Sequence, residues 1–397
     1  MTVTQPVVKL RQLFSVREDS TSQAILSENG LELTYNGRSA LLRACHSLAG
    51  KGKGTRVLIP AYHCPACVTP VLQARLQPVY YRITRELTVD WDDLLAKIDS
   101  EVVAVMIIHF FGIETDFSAL DSYRRNGLAI IEDCSHSFLR DHPLRLAGSD
   151  SDFRIYSFWK MLPLQAGGGL ARSAAWRNDA PVTKPGRVSP RDEIRLAKRL
   201  FEEALQHSDH EWAKTTFNLI ENVRLRLKGA SPPAQADGIA AGNSGQFDPR
   251  QDTLSMPIVA ERVMRRTALA EVIRTRRNNY ALYARLFRNT AGIRLPFPDP
   301  GASACPWLFP MIIEHREHFS AYCRQHAVLV PQTFGSVLHE SVRQDKESHM
   351  IADAEYLADH VVCLPIHQDL TTEEIEAAGS KLRDYFRPEA GHSICRQ

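Results

Sequence analysis

Residues 130–169 decide the fold of this chain, because two apolar strands within them end in polar side chains. The first strand runs into Ile131-Glu132-Asp133-Cys134-Ser135-His136, and the second runs into Tyr156-Ser157-Phe158-Trp159-Lys160. Polar residues that follow buried strands gather at the carboxyl edge of a parallel sheet, where α/β proteins place their binding sites. The sequence therefore predicts one edge that carries an acid, an imidazole, a hydroxyl and a primary amine.

Pyridoxal phosphate (PLP) is the cofactor that needs this set of side chains. It forms a Schiff base with a lysine, here Lys160, and it needs a carboxylate opposite its pyridinium nitrogen, here Asp133. The apolar neighbours Phe158 and Trp159 favour a neutral, nucleophilic amine. Each residue alone also has a common structural interpretation, since acids cap helices and most lysines are solvated. The joint pattern favours the cofactor.

The order of short motifs resembles that of the DegT/DnrJ/StrS family, the sugar aminotransferase branch of the fold-type I PLP enzymes. Besides the two segments above, the matching pieces are Asn36-Gly37-Arg38-Ser39-Ala40-Leu41, Val57-Leu58-Ile59-Pro60-Ala61-Tyr62, His109-Phe110-Phe111-Gly112 and Cys363-Leu364-Pro365-Ile366-His367. The resemblance covers the chain from about residue 30 to its end. It implies an α/β fold with a mostly parallel central sheet, helices on both faces and a small C-terminal α+β domain.

The resemblance also implies roles for the residues at the predicted edge. Lys160 forms the Schiff base and then moves protons, Asp133 pairs with the ring nitrogen, and His136 lies beside the phenolic oxygen of PLP. Ser157 binds the phosphate. The Ser-x-x-Lys spacing of Ser157 and Lys160 also occurs in β-lactamase-like acyl enzymes, but their Ser-Asp-Asn and Lys-Thr-Gly motifs are missing here.

A predicted helix that begins near Asn36 is the second candidate phosphate contact. Free N–H groups and a partial positive charge make a helix amino terminus suitable for an anion. A plain Asn cap on a core helix explains the same residues. The resemblance favours phosphate binding through Gly37 and Arg38, although many relatives carry a small hydroxyl residue at the second position.

The loop after the strand Val57-Leu58-Ile59 departs from the family pattern. Relatives place an aromatic side chain here to stack on the pyridine ring, but Cys64 stands at that position, so Tyr62 or His63 is expected to stack instead. The Cys-x-x-Cys of Cys64 and Cys67 could indicate zinc or thiol redox chemistry. No second pair follows at a zinc-like spacing, and no metal is expected.

Composition places few further limits on function. Of the 397 residues, 44% are hydrophobic and 24% charged, as in an ordinary globular protein, and a net charge of +2 gives no sign of nucleic acid or an anionic membrane as partner. No run reaches the length of a transmembrane helix, and the first residues lack signal-peptide character. Eight cysteines in a chain of this length suggest a reducing cytoplasm rather than a disulfide scaffold.

The predicted organisation has four parts. Residues 1–30 form an irregular arm, and residues 31–255 form the large PLP-binding domain with a helical insertion at about 190–245. One basic helix at 256–292 leads to a small domain at 293–397. The arginines of this helix are interpreted as a solvated or interfacial face. By resemblance, two such chains form a homodimer with active sites at the subunit interface.

The resulting hypothesis is a PLP-dependent aminotransferase. By family analogy, it moves an amino group, from glutamate in the first instance, to a carbonyl acceptor such as a nucleotide-linked keto sugar. Two alternatives stay open: a PLP enzyme of another reaction type, acting on an amino acid or a biosynthetic intermediate, and a noncatalytic PLP-fold protein with a regulatory role. A scaffold would need none of Lys160, Asp133 and Ser157, which argues against the second alternative.

Overall fold

The structure is a computed structural model of the chain. It describes residues 5–28, 30–49, 54–140, 145–146, 148, 151–177, 184–228, 248–326, 328–344 and 348–386. The strands in these residues are β1 Leu31–Thr34, β2 Arg56–Pro60, β3 Gln77–Tyr81, β4 Val102–Ile108, β5 Ala129–Asp133, β6 Leu139–Arg140, β7 Arg145–Leu146, β8 Phe153–Ser157, β9 Gly168–Arg172, β10 Leu308–Ile312 and β11 Val361–Pro365.

The α-helices surround these strands. They are α1 Leu10–Phe14, α2 Ser20–Leu26, α3 Gly37–Ala49, α4 Val68–Gln73, α5 Trp91–Ala96, α6 Asp121–Arg125, α7 Ala174–Arg177, α8 Pro190–Gln206, α9 Glu211–Lys228, α10 Ile258–Arg265, α11 Leu269–Phe287, α12 Arg316–Gln325, α13 Glu340–Arg343, α14 Ser348–His360 and α15 Thr372–Tyr385. In the part of the chain that the structure describes, no helix is long and apolar enough to cross a bilayer.

A seven-stranded sheet forms the centre, in the order β1-β9-β8-β5-β4-β2-β3. The pairs from β8 to β3 are parallel, whereas β9 is antiparallel to both β8 and β1. The strand β4, of sequence Val-Val-Ala-Val-Met-Ile-Ile, is almost continuously buried, as expected where both faces of a parallel sheet are covered. The predicted α/β fold with a mostly parallel sheet is confirmed.

The helix α3 begins where the sequence predicts. The Asn36 side chain accepts a hydrogen bond from the backbone N–H of Ser39 at 2.9 Å, which is an N-cap, and the helix packs against β8 and β9. The packing is close: a Cβ on Gly168 would lie 2.3 Å from the carbonyl carbon of Asn36 and 2.7 Å from the nitrogen of Gly37. A residue without a side chain at position 168 therefore lets α3 begin beside the end of β8.

Buried hydrophobic side chains form two clusters, and the antiparallel pair β10–β11 lies between them. Side chains alternate between the two faces of a strand. Accordingly Leu308 and Cys363 join the cluster of the seven-stranded sheet, while Phe309 and Leu364 join a smaller cluster with α11, α12 and α15.

Two predictions about secondary structure are wrong. The arm contains α1 and α2, the second capped by Asp19, whose carboxylate accepts the N–H of Ser22 at 2.8 Å. The single helix predicted at 256–292 is two helices, α10 and α11. The break contains Thr267, whose carbonyl accepts the Ser22 hydroxyl at 2.7 Å and whose hydroxyl accepts from the Gln12 side chain at 2.9 Å. These long-range hydrogen bonds stabilise a break that the apolar periodicity does not reveal.

Other predicted elements have mixed outcomes. The helical insertion contains α8 and α9 as separate helices, and its last residues, 229–247, lie outside the described part. The domain boundaries themselves stay predictions.

Replacing Gly168 by alanine tests the close approach of α3. Because the added Cβ would overlap backbone atoms rather than a movable side chain, we expect Gly168→Ala to lower the free energy of unfolding by at least about 2 kcal/mol. A Cβ on Gly186 would meet its nearest neighbour at 3.6 Å, so Gly186→Ala should change the same quantity by less than about 1 kcal/mol. Urea denaturation of both variants measures the difference, and equal midpoints would contradict the account of Gly168.

Candidate active site

The carboxyl ends of β5 and β8 position the predicted side chains. These strands are parallel neighbours, paired between Asp133 and Ile155, so Asp133 ends one strand and Ser157 ends the next at the same edge of the sheet. A short 3₁₀ turn, Phe158–Lys160, follows β8 and carries Lys160. The structure thus brings the acid, the hydroxyl and the amine to one edge.

The Asp133 carboxylate is held by two contacts. Its Oδ1 accepts the backbone N–H of Ser135 at 2.9 Å, and its Oδ2 lies 3.9 Å from Sγ of Cys67, a weak thiol donor. Burial and the nearby Asp133 charge both raise the pKa of Cys67 well above its ordinary value, so this thiol stays protonated. Cys67 is therefore part of the site.

His136 is buried and neutral. Burial, followed by the charge of Lys160, holds the pKa of His136 well below its ordinary value. Its Nδ1 accepts the backbone N–H of Phe111 at 3.3 Å, which leaves the proton on Nε2. The ring also packs against Trp307, with centroids 4.3 Å apart, and against Phe334 at 4.6 Å. The histidine can therefore donate one hydrogen bond without bringing a charge.

Lys160 Nζ lies 4.8 Å from the ring centroid of Trp307. Its charge lowers the pKa of both Cys67 and His136, which places the amine among the residues that surround Asp133. Among the described residues, no carboxylate forms an ion pair with this amine.

The amino terminus of α3 meets two serines. A Cβ on Gly37 would lie 3.2 Å from the Cβ of Ser157 and 3.4 Å from Oγ of Ser135. Helix N–H groups and two hydroxyls thus lie together, an arrangement suited to an anion. The guanidinium of Arg38 is directed to Asp252, with Nε 3.6 Å from Oδ1. Sequence reasoning missed Ser135, although it stands between Asp133 and His136 in the motif.

Tyr62 and His63 are both fully buried. The Tyr62 hydroxyl donates to the carbonyl of Phe334 at 2.6 Å. His63 stacks on Tyr80 with centroids 5.7 Å apart, its Nδ1 bonds the carbonyl of Pro60 at 2.7 Å, and burial lowers its pKa to about 4. The structure thus gives both rings core contacts.

The arginines of the predicted basic helix were interpreted as a solvated or interfacial face, and for Arg276 that interpretation is wrong. Its side chain is fully buried, and burial lowers its pKa to about 10. The guanidinium donates to the carbonyls of Trp307 at 2.9 Å and Met161 at 3.0 Å, and to Oε1 of Gln368 at 3.2 Å. Arg276 therefore joins the residue after Lys160 to the segment that carries Trp307.

A buried cluster of His109, Glu132 and Cys134 brings three potential metal-ligand atoms within 4.8 Å of one another. His109 Nε2 bonds Glu132 at 3.0 Å, and its Nδ1 accepts the backbone N–H of Thr115 at 3.1 Å. Both ring nitrogens of His109 thus form hydrogen bonds within the protein. We interpret the cluster as a structural hydrogen-bond network.

The N-terminal segment closes one side of the site. Gln5 and Pro6 line a small cavity together with Lys160 and Trp307. The next residues are anchored elsewhere: the backbone N–H of Val7 donates to Asp369 at 2.9 Å, and that of Val8 donates to Glu203.

Sequence and structure comparisons give the class and the family. The first match among curated proteins is a GDP-perosamine synthase from Vibrio cholerae, 31% identical over 136 residues, or 34% of this chain and 37% of that protein. An L-glutamine:scyllo-inosose aminotransferase from Streptomyces griseus is 28% identical over 174 residues, covering 41% of this chain and 39% of that protein. The chain thus aligns with less than half the length of these curated relatives.

Solved structures share the fold over nearly the whole chain. A putative sugar aminotransferase from Streptococcus pneumoniae, in its PLP form, superposes with a TM-score of 0.65 at 15% identity, covering 97% of this chain and 98% of that one. An aminotransferase of pseudaminic acid biosynthesis from Helicobacter pylori gives 0.63 at 11% identity, covering 97% and 98%. The fold is that of the fold-type I PLP-dependent transferases.

The family follows from a direct match. The model of the DegT/DnrJ/EryC1/StrS aminotransferase family matches residues 30–171 and 260–383, so the chain belongs to that family. Membership implies pyridoxal phosphate as the cofactor. The fold class and family predicted from the sequence are confirmed.

Removing the Arg276 guanidinium should destabilise the protein. Arg276→Met leaves the carbonyl of Trp307 without its buried donor, and we expect the free energy of unfolding to fall by about 2–4 kcal/mol. Arg274 lies on the same helix with a largely exposed side chain, so Arg274→Met is the charge-matched control and should change it by less than about 0.5 kcal/mol. Urea denaturation compares them, and similar small losses in both would show that the Arg276 contacts contribute little.

The anchor of Val8 predicts a pH dependence. Burial raises the pKa of Glu203 from 4.5 to about 7, although hydrogen bonds from Val8 and Gln165 act to lower it. Between those values the folded state binds more protons than the unfolded state, so this contribution to stability falls as the pH rises from 4.5 to about 7.

Glu203→Gln removes this titration and keeps an oxygen that accepts the Val8 N–H. Relative to the unchanged protein, we expect the variant to gain about 1–3 kcal/mol of stability between pH 5 and pH 8. Urea denaturation at both pH values measures the change. A stability difference independent of pH would refute the raised pKa.

Proposed function

We propose that the protein is a PLP-dependent aminotransferase whose Schiff-base lysine is Lys160. The observation that carries the proposal is the convergence of Asp133, Lys160 and the amino terminus of α3 at one edge of the sheet. The site residues fit the cofactor. The hydroxyls beside Gly37 and the helix N–H groups suit its phosphate, and a carboxylate and an amine at the same edge are the partners that a pyridinium nitrogen and an aldehyde require.

The bound cofactor would supply an electron sink that stabilises negative charge on a substrate carbon. The protein side chains provide the cofactor contacts and the acid–base groups. Asp133, fixed by the N–H of Ser135, keeps a proton on the ring nitrogen. His136, neutral and with its proton on Nε2, donates to the phenolic oxygen. Lys160 holds the cofactor and then carries a proton to or from the substrate carbon.

Phosphate binding is assigned to the backbone N–H groups of Gly37 and Arg38 and to the hydroxyls of Ser135 and Ser157. Because the Arg38 guanidinium faces Asp252, we assign it no direct charge contact with the phosphate. Because Tyr62 and His63 have core contacts, we assign neither of them to the ring face, and Cys67 is assigned only its contact with Asp133.

The substrates are an amino donor such as glutamate or glutamine and a carbonyl acceptor of the keto-sugar class. The names of the relatives support this choice: one is a GDP-perosamine synthase, and another transfers nitrogen from L-glutamine to scyllo-inosose. We further propose that the enzyme acts as a cytoplasmic homodimer, in accord with its ordinary composition and family.

Absorption spectroscopy of purified protein with added PLP tests the proposal. We expect a visible Schiff-base band that Lys160→Ala abolishes and that Lys198→Ala, the change of an exposed lysine, leaves intact. Addition of glutamate or glutamine should bleach the band and yield pyridoxamine phosphate, detected by mass spectrometry.

The outcomes separate the remaining alternatives. A Lys160-dependent band that neither donor alters would keep the cofactor and point to a different PLP reaction. A protein without any band would be a noncatalytic member of the fold, and the proposal would be refuted.

A further inference from the structure

We propose that Trp307 is a positioning residue that holds the Lys160 ammonium in the cofactor-free protein, and that this contact sets the rate of cofactor loading. The proposal rests on the role of Lys160 proposed above. It concerns a residue that the sequence motifs do not mark.

The first observation is the environment of the amine. Lys160 Nζ lies 4.8 Å from the centroid of the Trp307 ring, and no described carboxylate pairs with it. An ammonium within about 6 Å of an aromatic face is attracted to it, and tryptophan is the strongest aromatic partner. The indole is therefore the contact that holds the amine of this partly buried lysine.

The second observation is that the relative position of ring and lysine is fixed. One guanidinium, that of Arg276, donates both to the carbonyl of Trp307 and to the carbonyl of Met161, the residue after Lys160. The backbone N–H of Trp307 also donates to the carbonyl of Phe111 at 2.9 Å. These hydrogen bonds therefore fix the backbone of Trp307 relative to the backbone of the residue after Lys160.

The third observation concerns the remaining neighbours of the indole. His136 packs on the ring at 4.3 Å and Phe334 meets it edge-on at 6.3 Å and 89°. The first is neutral and the second apolar, so neither offers the ammonium a competing charge. Packing holds the indole ring in place, and Lys160 is the cation that contacts it.

The consequence follows from the chemistry of loading. The Lys160 ammonium must lose a proton to solvent before its nitrogen bonds the aldehyde carbon of PLP, a step that releases one water. The nitrogen must therefore leave the indole before it reacts, and the cation–π contact opposes that movement. Weakening the contact should therefore speed loading.

Stopped-flow absorption of cofactor-free protein mixed with PLP, at a series of pH values, tests this inference. We expect loading at neutral pH to be about twofold faster in Trp307→Phe and about fivefold faster in Trp307→Leu, in the order of the strength of the cation–π contact. Trp212, an exposed tryptophan of α9, provides the control, and Trp212→Leu should load at the unchanged rate. Borohydride reduction and peptide mass spectrometry confirm Lys160 as the loaded residue.

A second measurement does not depend on the folding of the leucine variant. Fluorinated tryptophans keep the shape of the ring but withdraw its π density, so incorporating them should speed loading in the unchanged sequence and have no effect in Trp307→Phe. A merely structural role of Trp307 would not respond to fluorination.

The results are distinguishable from failure of the proposed function. If the unchanged protein forms no Lys160 adduct, the aminotransferase proposal itself fails. If it loads normally but the Trp307 variants and fluorinated protein load at the same rate or more slowly, the function stands and the inference about Trp307 is overturned.

Discussion

Parallel backbone hydrogen bonding between β5 and β8 aligns Asp133 with Ile155 and puts the ends of both strands at one edge of the sheet. The other site residues depend on that register. The 3₁₀ turn after β8 has only three residues in which to carry Lys160 back toward Asp133, and α3 reaches Ser157 because Gly168 leaves room for its first turn. A one-residue slip in the pairing would turn the strand-end side chains to the opposite face.

Local patterns predicted the part of the site that strand ends determine. Asp133, His136, Ser157 and Lys160 each lie within three residues of the end of an apolar strand, so alternation and strand length were sufficient to place them. Ser135 lies in the same segment. A serine hydroxyl is common in loops, so its presence between Asp133 and His136 did not indicate a role in the site.

The features that the sequence did not predict depend on contacts between residues far apart in the chain. Trp307 stands 147 residues after Lys160 in the chain, and Arg276 resembles its exposed helical neighbours until its carbonyl partners are known. The orientation of the Tyr62 ring depends on the carbonyl of Phe334 from the C-terminal half. The break between α10 and α11 depends likewise on hydrogen bonds from the N-terminal arm, because helix propensity alone would continue through it.

These contacts make the site a joint product of the large sheet and the segment that precedes β10. Trp307 precedes β10, which lies between the clusters, while Lys160 follows a strand of the large sheet, and Arg276 binds the backbone of both segments. A ligand that binds only this assembled arrangement stabilises it by mass action. Because such coupling is reciprocal, contacts that hold the two segments together also favour binding of the ligand. The buried guanidinium of Arg276 thus helps to determine where the amine of Lys160 and the indole of Trp307 meet.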